Sequence, residues 1–184
     1  MRGLQTDVSG EAQQLEDNTA HTIAVFGHRP PELGGYGENS TTLSIRRRMI
    51  ELLRAKAQMH SDLQVVTGLG LGAEMLGAEA AAAAAVPYRV ILAFDGMEKR
   101  WPDATQKRFQ ELLSAALSIT VASDETPNTG DQFGKAMGRR DDAIIRIADE
   151  AIVVRDPKDR TLGALQKKLE QQFEEDVWII EPDQ

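Results

Sequence analysis

Two apolar runs in this chain break off into loops whose residue types suit the holding of an anion. One reads Ala24-Val-Phe-Gly27-His28-Arg29-Pro30-Pro31 and continues to Leu33-Gly-Gly-Tyr36; the other reads Thr67-Gly68-Leu-Gly70-Leu-Gly72-Ala-Glu74. A strand that ends this way leaves backbone N–H groups beside a helix start, where they and the helix dipole attract phosphate or carboxylate. Arg29 adds a guanidinium with the fork geometry that clamps phosphate, and His28 adds an imidazole. Their place at a strand end favours ligand contact over the mere satisfaction of local carbonyls. A nucleotide-like small molecule is the expected partner, with Gly27, His28, Arg29, Gly68, Gly70 and Gly72 as binding candidates.

The second loop matches the dinucleotide fingerprint G-x-G-x-x-G only in part, because Ala73 stands where the third glycine belongs. It is firmer as a glycine-rich strand-to-helix turn. Glu74 falls in the first turn of the following helix, where it either favours the dipole or reaches a ribose hydroxyl. A third loop, Asp95-Gly-Met-Glu-Lys-Arg-Trp101-Pro102, offers an indole that either lids the next helix or stacks on a base. The run Gly138-Arg139-Arg140-Asp141-Asp142 has the character of a solvated helical face. There is no H-E-x-x-H, no G-x-S-x-G and no Walker lysine. His21, His28 and His60 fall on separate elements, so no metal site is expected, and no cofactor is assigned beyond a nucleotide-derived ligand.

The elements that must position these loops alternate along the chain. Apolar runs at 22–26, 63–67, 88–94, 118–122, 151–154 and 177–180 read as strands. Helical spacing covers 40–59 behind a Ser/Thr cap, then 73–86, 102–116, 132–148 and 161–175. Pro87 stops the alanine-rich helix, whose run Ala80–Ala85 suits close packing on a sheet. Such alternation predicts an α/β fold: a Rossmann-like, doubly wound, mainly parallel sheet with helices on both faces and its loops gathered at one edge.

Length and composition fit that picture. With 184 residues, 41% of them hydrophobic, one domain over 21–184 is expected behind a disordered tail at 1–20. No cysteine is present, which excludes disulfides and thiolate zinc. No apolar run approaches a membrane span, so a soluble, cytoplasmic protein without membrane contact is expected. The net charge of −8 is concentrated at the ends: −3 over residues 1–20 and −6 over 170–184, leaving +1 between them. A near-neutral middle suits a phosphorylated metabolite and disfavours nucleic acid.

Together these motifs resemble the DprA/Lonely-guy-like Rossmannoid superfamily (SLOG), most closely its YpsA-like branch. The resemblance rests on Gly27-His-Arg-Pro with Leu33-Gly-Gly-Tyr, and on Thr67-Gly-Leu-Gly-Leu-Gly-Ala-Glu. It rests also on Phe94-Asp-Gly-Met-Glu-Lys-Arg-Trp-Pro with Gln106-Lys-Arg-Phe, and on Arg140-Asp followed by Ala148-Asp149. It implies a nucleotide pocket lined by these loops, Trp101 and Asp141 included, and a homodimer or larger homo-oligomer. Lonely-guy enzymes cleave nucleoside monophosphates with an arginine that Arg140 matches and a glutamate in a P-G-G-x-G-T-x-x-E motif. Here the sequence after Val154 is Arg-Asp-Pro-Lys-Asp-Arg-Thr-Leu-Gly-Ala, without that glutamate, and Asp141 replaces the branch's usual asparagine. The expected function is therefore binding of a nucleotide-derived ligand, as sensor or carrier. The alternatives are a phosphoribohydrolase with Glu74 and Arg140 as its catalytic pair, or DprA-like single-strand DNA binding.

Overall fold

The structure, a computed structural model, describes residues 19–183. Most of the tail expected to be disordered thus lies outside the described residues. The elements run β1 (Thr22–Gly27), α1 (Ser40–Met59), β2 (Gln64–Thr67), α2 (Ala73–Ala83), β3 (Tyr88–Leu92) and α3 (Asp103–Ser114). They continue with β4 (Ser118–Val121), α4 (Gly130–Ile147), β5 (Glu150–Val154), α5 (Gly163–Phe173) and β6 (Val177–Ile180). All five strand pairings are parallel, in the order β4-β3-β2-β1-β5-β6.

Side chains alternate across this sheet with the period of two that the pleat imposes. Ile23, Val25, Val65, Val90, Leu92, Ile152 and Val154 point to one face, where α1, α2 and α3 cover them through Ile45, Met49, Met75, Leu76 and Phe109. Ala24, Phe26, Val66, Ile91, Ala151 and Val153 point to the other, under Ile144 and Ile145 of α4 and Leu169 and Phe173 of α5. The central helix α2 lies so close to β1 that a Cβ on Gly77 would stand 2.6 Å from Val25 Cγ1. A small residue is required there by contact distance, against the low helix propensity of glycine.

Several boundaries differ from the sequence reading, each for a local reason. The cap of α1 is Asn39, which forms a capping box: Thr42 N–H donates to Asn39 Oδ1 at 3.0 Å, and Asn39 N–H donates to Thr42 Oγ1 at 2.9 Å. Helix α2 stops at Ala83 because Ala85 turns left-handed (φ +58°) and Val86 N–H reaches back to Ala81 O at 2.9 Å. That is a Schellman turn with alanine where glycine is usual, and it buries Val86. Thr129 caps α4 two residues earlier than expected, while α5 is trimmed to Gly163–Phe173.

At the amino edge of the sheet a clasp joins four elements. Glu150, at the start of β5, accepts hydrogen bonds from His21 Nε2 and Trp178 Nε1, each at 2.6 Å, and Lys56 Nζ of α1 approaches it at 2.6 Å. His21 stacks on His60 with ring centroids 3.7 Å apart. Two histidines assigned to separate elements therefore meet, which corrects the reason given for expecting no metal. Parallel rings aim their lone pairs side by side rather than at one point, and Lys56 already neutralises the carboxylate.

Burial raises the Glu150 pKa, but the bonds from Lys56, His21 and Trp178 outweigh it and hold the group below its ordinary value of 4.5. A depressed carboxyl contributes stability above that value and loses it as pH falls through the native pKa. Glu150→Gln is expected to lower unfolding free energy at pH 7 by roughly 1.5–3 kcal/mol. It should also flatten the acid limb below about pH 4.5, where wild type loses this contribution. Urea denaturation across pH, with both limbs unchanged in the variant, would remove Glu150 from this role.

Candidate functional site

The winding of the sheet decides where a ligand can enter. From β1 the chain proceeds through β2 and β3 to β4 on one side, then returns to place β5 and β6 on the other. The loops after β1 and β5 therefore leave in opposite directions, opening a crevice between their carboxyl ends. Gly27 of β1 pairs with Val154 of β5 at its base. A Cβ on Gly27 would stand 2.6 Å from Val154 O and 2.7 Å from the Ala73 Cβ. Only glycine lets the first turn of α2 come so near the strand end.

A buried ion pair forms the floor. Arg140, midway along α4, donates from Nη1 to Glu74 Oε2 at 2.9 Å and from Nη2 to Glu74 Oε1 at 2.8 Å. Asp141 Oδ1 accepts from Arg140 Nε at 3.0 Å and from Nη2 at 2.7 Å. Gly70 N–H closes the network onto Glu74 Oε2 at 2.6 Å. Glu74 is 6% and Arg140 4% exposed, so this pair is shielded from water. The loop glycines make room for it: a Cβ on Gly68 would fall 2.5 Å from Arg140 Nη1, and one on Gly70 would collide with the Glu74 carboxylate.

The run 138–142 is thus not the uniformly solvated face that its composition suggests. Consecutive helical residues point about 100° apart, so Arg140 turns inward while Arg139 and Asp142 stay exposed. Arg139 bonds Ser123 Oγ at 2.9 Å, and Asp142 pairs with Lys168 at 2.7 Å.

Burial pushes the Glu74 carboxyl above its ordinary value and the Asp141 charge adds to the rise, against the pull of Arg140 and Gly70 N–H. For Arg140, burial is outweighed by Glu74 and Asp141, which hold the guanidinium charged. Both oxygens of Glu74 are engaged, so neither of the roles read from sequence, dipole partner or ribose acceptor, describes its main contacts. Four of the five guanidinium N–H groups are committed as well, which leaves one for a ligand.

Above this floor lies a cleft of about 230 Å³. Seven of the sequence candidates line it: Gly27, Arg29, Gly70, Glu74, Trp101, Arg140 and Asp141. Arg29 is exposed and, among the described residues, the only cation lining the cleft without an ion pair. Of the two roles weighed for Trp101, the lid is the one its contacts show. Its ring meets Phe109 edge to face at 5.3 Å, as a lid on α3, and also walls the cleft.

The other three candidates stand behind the cleft. His28 is 2% exposed; its Nε2 accepts Asp156 N–H at 2.9 Å, which places the ring proton on Nδ1. Glu32 and Asp159 lie close enough to His28 for a metal cluster, but this bond occupies the imidazole lone pair. Gly68 faces Arg140. Gly72, at φ +90°, abuts His28 O and the Arg29 backbone, a conformation that excludes a side chain.

The opposite wall escaped the sequence reading. It consists of Leu71, Met97, Phe133, Met137, Leu162 and Leu165. Phe133, Met137 and Arg140 fall at helical intervals on α4, so a stripe of apolar residues leading to a buried arginine was the available signal. Leu162 and Leu165 lie in a stretch where no motif was recognised.

Known proteins share this fold. The profile described as the YspA SLOG family (YpsA) matches residues 23–184. Among curated proteins nothing matches the sequence. Of solved structures, DNA processing protein A from Helicobacter pylori, studied for its single-stranded DNA binding mode, superposes with a TM-score of 0.55 at 17% identity. That match covers 89% of this chain and 66% of the other. DprA from Streptococcus pneumoniae gives 0.57 at 18% identity, covering 90% of this chain and 51% of that one. The present chain thus spans between half and two thirds of those proteins, and at such identity they speak for the fold alone. The profile covers nearly the whole chain, and by that match the protein belongs to the YpsA SLOG family.

Proposed function

We propose that this protein binds a nucleotide or nucleotide-derived small ligand in the β1/β5 cleft, as a sensor or carrier. One juxtaposition carries the reading: an unpaired Arg29 and glycine-loop backbone on one side of the cleft face an apolar wall of Met97, Trp101, Phe133 and Met137 on the other. A phosphate takes charge-assisted bonds from the guanidinium, while a flat base lies against the apolar wall. Asp141 and the remaining Arg140 N–H offer polar contacts for a sugar.

Turnover is the competing reading. Glycosidic cleavage gains from a carboxylate free to stabilise positive charge or activate water. Glu74 is instead pinned by Arg140 and Gly70, which favours a binder. Single-stranded DNA, the ligand named for the Helicobacter protein, is a further alternative. Self-association into a homodimer or larger assembly also belongs to this proposal. In the alanine-rich helix α2, Ala73, Ala78, Ala80 and Ala81 are buried, which leaves only the exposed end at Ala82, Ala83 and Ala85 for such contact. The exposed apolar residues of the edge strands, Ile119 and Val121 on β4 and Trp178 and Ile179 on β6, are the better candidates.

A thermal-shift screen of nucleoside monophosphates, ADP-ribose, NAD and a short DNA strand is expected to favour a small nucleotide. Arg29→Ala should weaken its binding by about 1.5–3 kcal/mol, the scale of a hydrogen bond to a charged group. Unchanged affinity by calorimetry would rule out that contact. Chromatography of AMP and other monophosphates incubated with the protein is expected to show no free base. Robust release that disappears in Glu74→Gln would replace the binder with a hydrolase. In light scattering, a clean monomer near 20.2 kDa at high concentration would remove the assembly.

A further inference from the structure

A second cleft of about 280 Å³ opens on the α1–α3 face and shares Leu71 with the first, while Gly72 lines the second alone. Its floor is apolar and deeply buried: Leu33 and Met75 are 0% and Leu76 3% exposed. Tyr36, 53% exposed, stands on the rim. The charged wall is drawn from three helices. Glu79 of α2 lies between Arg46 of α1, whose Nη1 is 3.2 Å from Glu79 Oε2, and Arg108 of α3, whose Nε bonds Glu79 Oε1.

Two arginines against one carboxylate, its side chain 19% exposed, leave a positive excess. It is balanced only by Glu38, whose side chain is 61% exposed and meets Arg46 Nη2 at 2.8 Å. An ion pair that open to solvent is weak and readily exchanged for another anion. The terminal nitrogens of Arg108 have no hydrogen-bond partner among the described residues. The field points the same way. Helices α1, α2 and α3 all start at this edge, their first turns contribute Thr42, Met75 and Thr105 to the cleft, and α2 and α3 carry no side-chain cap.

We propose that this second cleft is a separate binding site for a small molecule bearing one phosphate or carboxylate on an apolar, ring-sized body. The anionic group displaces Glu38 and bridges Arg46 and Arg108, while the body lies against Leu71 and Tyr36, with Leu33, Met75 and Leu76 behind them. Fork donors on two guanidiniums hold tetrahedral and planar oxyanions alike, so both head groups belong to the proposal. The site is independent of the nucleotide reading, because it uses none of the groups that line the first cleft apart from the shared wall.

The test is an amide NMR titration of the full-length protein with three probes: phenyl phosphate, benzoate and inorganic phosphate. Phenyl phosphate or benzoate is expected to shift amides near Tyr36, Met75 and Thr105 at millimolar concentration, with inorganic phosphate at least about tenfold weaker for want of a body. Which of the two ring probes binds tighter identifies the head group. Arg108→Gln should weaken the effect at least about tenfold, and Arg29→Ala should leave it unchanged. Should Arg108→Gln lose its folded spectrum, Tyr36→Ala on the rim serves in its place. Absence of shifts in those amides with all three probes, or shifts confined to Gly27, Arg29 and Gly70, overturns the proposal.

Discussion

The bidentate contact between Glu74 and Arg140 organises everything at the carboxyl edge of this sheet. Helix α2 lies on one face and α4 on the other, and the pair reaches over the strand ends to join them. Taking two charges out of water is costly, and their attraction repays it only with good geometry and satisfied remaining groups. Here Asp141 and Gly70 N–H complete the satisfaction. Removing one partner of such a pair typically costs about 3–5 kcal/mol, because the other is left buried and alone.

That constraint propagates into the loop between β2 and α2. Gly68 lacks a side chain because the guanidinium occupies that space, and Gly70 because the carboxylate does. Gly72 then turns the chain over His28 O, whose own peptide is held by Val154 O and Ala73 N–H at 3.0 Å each. Alternate glycines that look like a phosphate cradle in one dimension are, in three, first of all the housing of an ion pair. The two roles are compatible, since a loop stripped of side chains also exposes its N–H groups to a ligand. The division of charge follows. Most of the Arg140 guanidinium is spent on structure, whereas Arg29 makes no ion pair among the described residues.

The architecture was legible in the sequence because strand and helix periods differ so clearly in a doubly wound sheet. Ile23 and Val25 against Ala24 and Phe26 is a division any alternation count finds. The glycine loops and Arg29 stood out too, because they fall at strand ends, whereas Arg140 was named only through the family resemblance. Three things were not. Whether a charged run on a helix faces water depends on the facing element, so Arg140 looked solvated until Glu74 was seen opposite it. The wall formed by Met137 and Leu165 belongs to helices distant in sequence that meet only after folding. The meeting of His21 with His60 needs the end of α1 and the start of β1 to reach the same sheet edge, which depends on strand order.

Strand order also separates stability from function. All strands run the same way, so one edge gathers strand starts and the other gathers strand ends with helix N-termini. At the amino edge, Glu150 is held by His21, Trp178 and Lys56, and what this clasp closes is the seam between β1, β5, β6 and α1. At the carboxyl edge, among the described residues, Arg29 makes no ion pair, Arg140 has one N–H uncommitted, and Arg108 is bonded through Nε alone. Leu71 lines both clefts of that edge. A ligand that moved Leu71 in either cleft would reshape the other. The loop's latitude to do so is bounded by the ion pair beneath it, because Gly70 N–H is tied to Glu74 Oε2. The contact that closes the fold at this edge therefore also limits how far the two clefts can influence each other.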